Sequence, residues 1–222
     1  MNIQKARTLL YEAGLKLIKE GLVARTWGNI SLRLNEESFL ITPSGRTYEA
    51  LSLEEMVVVK IADLTHQGEI KPSSEKGMHA EVYKMRPEIT AVVHTHQLQA
   101  STVAAARCEV TGLTQEEQHI LGTSVRCSAY ALPGTKKLKQ TATQALGEKR
   151  QAALLANHGA LCIGTTMEKA FEVAKTLETA CQAFILRSFS KKHAEISLPK
   201  NLNEATMAMH QYYLEKAKGG AV

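Results

Sequence analysis

The run AALLANHGALCIG, residues 152 to 164, is apolar on both sides of His158-Gly159 and reads as two short buried strands meeting at a glycine turn. NISLRL and SFLIT, joined by the polar NEE, form an expected antiparallel hairpin. VVVKI, TAVVHTH and SVRCSAY add three further short strands. Helical periodicity separates them. Ile3, Ala6, Leu10, Ala13, Leu17 and Ile18 share one stripe that Gly21 stops, and residues 168 to 189 carry the strongest stripe, from Ala170 to Ile185. Further helices are predicted over LQASTVAAA, TKKLKQTATQALG, residues 203 to 217, and KPSSEKGMHAEVYKM with Ser73 or Ser74 as its cap. Ser52 and Glu55 make a capping box before VVVKI. Hairpins this frequent fit a purely parallel doubly wound sheet badly. The expected fold is α/β, a mainly antiparallel sheet covered by helices.

The 222 residues suffice for one domain with a full core, and no linker, repeat or low-complexity stretch divides them. Residues 218–222 read as a flexible tail. The net charge of +5 is scattered rather than gathered into a basic block, which excludes an evident nucleic-acid surface and suits a small anionic substrate. Cys108, Cys127, Cys162 and Cys181 lie far apart without a CxxC pair, as in a reducing compartment. With no signal-like N-terminus and no run of about 20 apolar residues, neither a membrane span nor export is expected, and the chain reads as cytoplasmic.

Three stretches carry potential chemistry. His94 and His96, two apart on an extended strand, share a face. Alone, such a pair is more often structural or solvated than metal-bound. His158, at a second strand end, adds a third imidazole, and three neutral nitrogens with an open fourth position are what a catalytic Zn²⁺ requires. In KPSSE, Ser73, Ser74 and Glu75 open a helix; capping explains one serine, and two hydroxyls beside a carboxylate also suit a phosphate. Thr26, Gly28 and Asn29, with Ser44 and Gly45, are small polar residues in turns beside strands, either ordinary turns or anion donors. His66, His79, His119, His193 and His210 read mostly as surface or packing residues.

Taken in order, TWGNIS, ITPSG, KPSSE with MHAEVY, RPEITAVVHTH, CSAYALPGT and NHGAL resemble the class II aldolase/adducin family over roughly residues 5 to 190, above all its fuculose-phosphate aldolase-like sugar-phosphate aldolases. The resemblance implies a three-layer α/β/α sandwich and a homotetramer with active sites at subunit interfaces. It implies one Zn²⁺ per subunit on His94, His96 and His158, Glu75 as acid/base, and a phosphate seat of Thr26, Gly28, Asn29, Ser44, Gly45, Ser73 and Ser74. The implied reaction is retro-aldol cleavage of a ketose 1-phosphate such as L-fuculose 1-phosphate into dihydroxyacetone phosphate and an aldehyde. In such aldolases a tyrosine follows the paired-histidine strand by about twenty residues, but TGLTQEEQHILG contains none. Gln115, Glu116, Glu117 or His119 would have to serve, or Tyr212 or Tyr213 of the last helix. A glutamate there resembles the methylthioribulose-1-phosphate dehydratases. The 4-epimerase branch uses an aspartate, and Asp63, the only one, precedes the site. Adducin-like members that bind without catalysis are the remaining alternative.

Overall fold

The computed structural model describes residues 2–23, 27–192 and 202–218. Seven strands form one sheet in the order β3-β2-β1-β4-β7-β6-β5. They are β1 (Asn29–Arg33), β2 (Ser38–Ile41), β3 (Val57–Lys60), β4 (Ala91–Thr95), β5 (Cys127–Ser128), β6 (Ala152–Leu155) and β7 (Gly159–Gly164). The described helices are α1 (Ile3–Lys19), α2 (Lys76–Met85), α3 (Leu98–Ala105), α4 (Gln115–Leu121), α5 (Lys136–Leu146), α6 (Met167–Lys192) and α7 (Leu202–Lys218). Among the described residues no helix is long and apolar enough to cross a membrane.

The sheet is mixed, which corrects the expectation of a mainly antiparallel one. β5 and β6 run parallel, because the chain between them climbs through α5, the crossover that parallel neighbours need. The hairpins β1–β2 and β6–β7 pair antiparallel as expected. β5 is shorter than SVRCSAY implied: only Cys127 and Ser128 pair with β6, and Val125 bridges back to Val110 instead. The poorly patterned stretch before it contains α4, capped by Thr114.

Alternate residues of each strand enter two separate cores. Ala91 and Val93 of β4, with Ile30 and Leu32 of β1, pack with Leu10 and Leu17 of α1, Val103 of α3 and Phe171 and Leu177 of α6. Val92, Leu161 and Ile163 pack in the other core with Val82 and Tyr83 of α2 and Leu138 and Leu146 of α5. His94 follows Val92 at a spacing of two and so faces the α2 side. Helix α2 begins later than expected, with Glu75 rather than a serine at its N-cap. The Ser73 hydroxyl accepts from the Glu75 N–H at 3.2 Å, so the serine shapes the turn leading into the helix.

Candidate functional site

β4 is the middle strand, and the site forms where it ends. His94 is fully buried and His96 lies one residue past the strand. Behind His96, Gln97 donates to the Ala174 carbonyl of α6 at 2.8 Å. The carboxylate of Glu178 accepts from the Gln99 and Ala100 N–H groups, at 2.7 and 2.9 Å, holding the first turn of α3. The chain is therefore fixed on both sides of the histidine pair. His158 arrives on the β6–β7 turn, where Asn157 takes the left-handed conformation at φ 55. The following Gly159 must lack a side chain, since a Cβ there would sit 2.3 Å from the Thr95 carbonyl oxygen. Gly28 is likewise required, with φ +93 and only 2.8 Å between an added Cβ and the His94 carbonyl oxygen.

These constraints bring one ring nitrogen of each of His94, His96 and His158 within 4.8 Å of one another. His94 Nδ1 lies 2.8 Å from the Ala160 carbonyl, which only accepts, so Nδ1 carries the proton and Nε2 is left bare. That bare nitrogen is 2.9 Å from Nε2 of His96. Glu75 lies across the opening, Oε2 at 3.2 Å from His94 Nε2 and Oε1 at 3.3 Å from His158 Nε2. Glu75 Oε1 and His158 Nδ1 are buried without hydrogen-bond partners. A fixed tautomer, clustered imidazoles and an unpaired carboxylate oxygen together fit a divalent metal ion.

A cavity of about 420 Å³ opens above this group. Its walls include Gly28, Asn29, Ser44, Gly45, Ser73 and Ser74, the described members of the expected phosphate seat. A bridge between Pro43 and Pro72 and the Ser73 N–H bond to the Thr42 carbonyl bring the ITPSG and KPSSE turns together. Thr26 lies outside the described residues. Asn29 faces two ways: its amide nitrogen donates to Glu75 Oε2 at 2.8 Å and its oxygen is 2.6 Å from His79 Nε2. Trp27, Pro133 and Asn157 complete the rim, with Trp27 half exposed and its ring 5.8 Å from His96. A larger cleft of about 690 Å³ beside β3 is bordered by His66 and several glutamates and holds no comparable cluster.

Within one chain, those of the expected second acid/base residues whose side chains are described do not line this cavity. Glu116 is exposed on α4, and Glu117 accepts from the Thr114 N–H at 2.8 Å as half of a capping box. His119 borders a different cavity, with Arg86 and Gly164. Gln115, the first residue of α4, is exposed. Tyr212 is half-buried on α7, a helix tied to α3 by the Thr206–Gln99 side-chain bond of 2.8 Å. Tyr213 lies on the same helix, its side chain outside the described set. What the reading of His79 as a surface or packing residue does not contain is its place behind the site, fully buried and bonded to Asn29. The available signal was its spacing, four residues after Glu75 and thus on the same helical face.

Burial, reinforced by the neighbouring His94, holds the His79 and His96 imidazoles at about 3 and that of His158 at about 4, against an ordinary 6.5. Burial would raise Glu75, but His94, His158, Asn29 and His79 outweigh it and keep the carboxyl below its usual range. The folded histidine values lie below the unfolded one, so between them the unfolded chain binds more protons, and stability is lost as pH falls. The Glu75 shift acts in the same sense; Glu178, raised by burial, opposes it. The metal-free protein is expected to be less stable at pH 5 than at pH 7, by about 2 kcal/mol from fully buried His79 alone, and so to show a lower urea midpoint at pH 5. An unchanged midpoint would mean that these imidazoles take up protons in the folded state.

A profile of the Class II Aldolase and Adducin N-terminal domain matches residues 8–185. Among curated proteins, the chain is 36% identical over 185 residues to a 5-deoxy-D-ribulose 1-phosphate aldolase of Bacillus thuringiensis serovar kurstaki, covering 83% of this chain and 86% of the relative. It is 30% identical to the L-fuculose phosphate aldolase of Escherichia coli K12, covering 83% and 85%. Among solved structures, an L-fuculose 1-phosphate aldolase superposes with a TM-score of 0.79 at 30% identity, over 94% of this chain and 96% of that one.

Proposed function

Because the chain belongs to the class II aldolase and adducin family, we propose that it is a zinc-dependent carbon–carbon lyase cleaving a ketose 1-phosphate into dihydroxyacetone phosphate and an aldehyde. The observation that carries the reading is Glu75, set between His94 and His158 at 3.2 and 3.3 Å with one oxygen unpaired, at the floor of a cavity walled by serine- and glycine-bearing turns. L-fuculose 1-phosphate remains the leading substrate, and 5-deoxy-D-ribulose 1-phosphate stands beside it because the 36% identical relative carries that name. Both share the 1-phosphate and the bond to be cut. An adducin-like role without catalysis has no use for a buried carboxylate set between the imidazoles of His94 and His158.

His94, His96 and His158 would hold the ion. Bound zinc supplies a positive charge beside the substrate's carbonyl oxygen, which lowers the barrier to carbanion character at C3. The seat formed by Ser44, Gly45, Ser73 and Ser74, with backbone around Gly28 and Asn29 and with Thr26, receives the phosphate and sets the register of the sugar. Removal of the C4 hydroxyl proton makes that oxygen a carbonyl as the C3–C4 bond breaks. The electron pair passes to C3 and C2. Glu75, ionised at rest, takes up a proton on Oε1 from solvent and passes it to C3, while the C4 hydroxyl proton leaves through a second acid/base group. Apart from the proposed ligands His96 and His158, the described residues lining the cavity offer no second acid/base group. We assign that task to a neighbouring copy in a homotetramer, through Tyr212, Tyr213, Glu116 or Glu117. The helices that cover the two cores on opposite sheet faces are in this reading the outer layers of an α/β/α sandwich in a single domain over residues 1–222, working in the cytoplasm.

The test is dihydroxyacetone phosphate release from a panel of ketose 1-phosphates, with and without a chelator. Release that the chelator stops and zinc restores is the expected result, and the fastest substrate identifies the sugar. Zinc-loaded protein that releases none from any member would overturn the reading.

A further inference from the structure

Behind Glu75, two elements alternate polar side chains into one buried line. Glu75, His79 and Tyr83 fall at successive fours along α2, and Asn29 and Ser31 share a face of β1. They interleave. Asn29 Nδ2 is 2.8 Å from Glu75 Oε2, Asn29 Oδ1 is 2.6 Å from His79 Nε2, His79 Nδ1 is 2.7 Å from Ser31 Oγ, and Ser31 Oγ is 2.7 Å from the Tyr83 hydroxyl. None of the five is more than 7% exposed.

The direction of every bond follows from chemistry. An ionised carboxylate only accepts, so Asn29 must turn its NH₂ to Glu75 and its oxygen to His79. His79 then carries its proton on Nε2. A fully buried imidazole with no carboxylate in contact stays neutral, so Nδ1 accepts from the Ser31 hydroxyl, which accepts in turn from Tyr83. All donors point toward the carboxylate, an arrangement in which each bond polarises the next.

We infer that His79 is a positioning residue for proton transfer: through Asn29 it holds Oε2 of Glu75, so that Oε1 alone is presented to the substrate carbon. The inference rests on Glu75 being the acid/base residue. It also explains why a histidine fills this place, where an apolar side chain would pack. Only a group that donates at one end and accepts at the other can join Asn29 to Ser31. Asn29 left without that donor could rotate, and its oxygen would then face the carboxylate.

The experiment follows exchange of dihydroxyacetone phosphate hydrogen with D₂O at the hydroxyl-bearing carbon beside the carbonyl, in zinc-loaded protein without aldehyde. This exchange reports proton removal and return alone. In His79→Leu it is expected to fall about 100-fold, with zinc content and the KM for ketose phosphate within about threefold of the unaltered protein. In His79→Gln, whose side-chain NH₂ can replace the Nε2–H toward Asn29, it is expected to return to within about tenfold. A purely structural role would move zinc content and KM together with the rate, and Gln would not rescue. If His79→Leu does not fold, Ser31→Ala carries the test, with an expected several-fold loss of exchange at unchanged zinc content. Exchange undiminished in the folded variant overturns the positioning role alone. No exchange in the unaltered protein overturns the role of Glu75, and this one with it.

Discussion

Glu75→Gln is expected to fold and bind zinc yet turn over ketose phosphate about a thousandfold more slowly, within the range that general acid–base catalysis contributes. Gln matches the carboxylate in shape, and its oxygen can still accept from Asn29 Nδ2, so the link to β1 survives. It cannot carry a proton between Oε1 and carbon. The carboxylate is 7% exposed and its neighbours more than offset its burial, so the neutral amide gives up part of that stabilisation, but it fills the same space and the variant is expected to stay folded. The decisive measurements are kcat and bound zinc on the same sample. Turnover within tenfold of the unaltered enzyme, at full zinc occupancy, would remove Glu75 from the proposed chemistry.

His158→Ala is expected to lose the metal and activity together. Of the three proposed ligands, His158 is best suited to this test. His94 is fully buried and bonded to the Ala160 carbonyl, so its removal would also empty a packed site in the sheet, whereas His158 is partly exposed on a turn. The turn keeps its backbone bond from the His158 N–H to the Leu155 carbonyl at 3.0 Å, so alanine leaves the strands in place. Loss of a supporting residue behind a metal ligand weakens binding about 10- to 100-fold, and loss of a ligand itself is expected to exceed that. Zinc retained stoichiometrically after dialysis against a chelator would show that two histidines and another group hold the ion.

The histidine cluster is legible because strand periodicity is short-range: two residues along an extended chain return to one face, which links His94 to His96 without knowledge of the fold. The glycine after His158 marked the second strand end in the same way. Glu75 entered through the resemblance of KPSSE, since its neighbours alone describe a helix start. The parallel placement of β5 was not legible, because SVRCSAY looks the same in either direction and only the α5 crossover decides it. Nor was the line from Tyr83 to Glu75. Each of its members obeys a local spacing, but that α2 lies against β1 in the register joining Asn29 to both Glu75 and His79 is a tertiary fact. A histidine with no local partner in sequence reads as a surface or packing residue; His79 is indeed buried, but its bonds to Ser31 and Asn29 are not legible because those partners are 48 and 50 residues away.

The division between the central strands and the turns above them bears on how such a chain can change its substrate over generations. His94 and Asn29 belong to strands buried in the sheet, where a substitution disturbs the core. Trp27, Ser44 and Pro133 stand in connecting segments outside the regular elements, which tolerate replacement and insertion far better. Mutational drift can therefore reshape the rim while the bond-breaking apparatus is inherited unchanged, so that new sugar preferences arise without the chemistry having to be invented again.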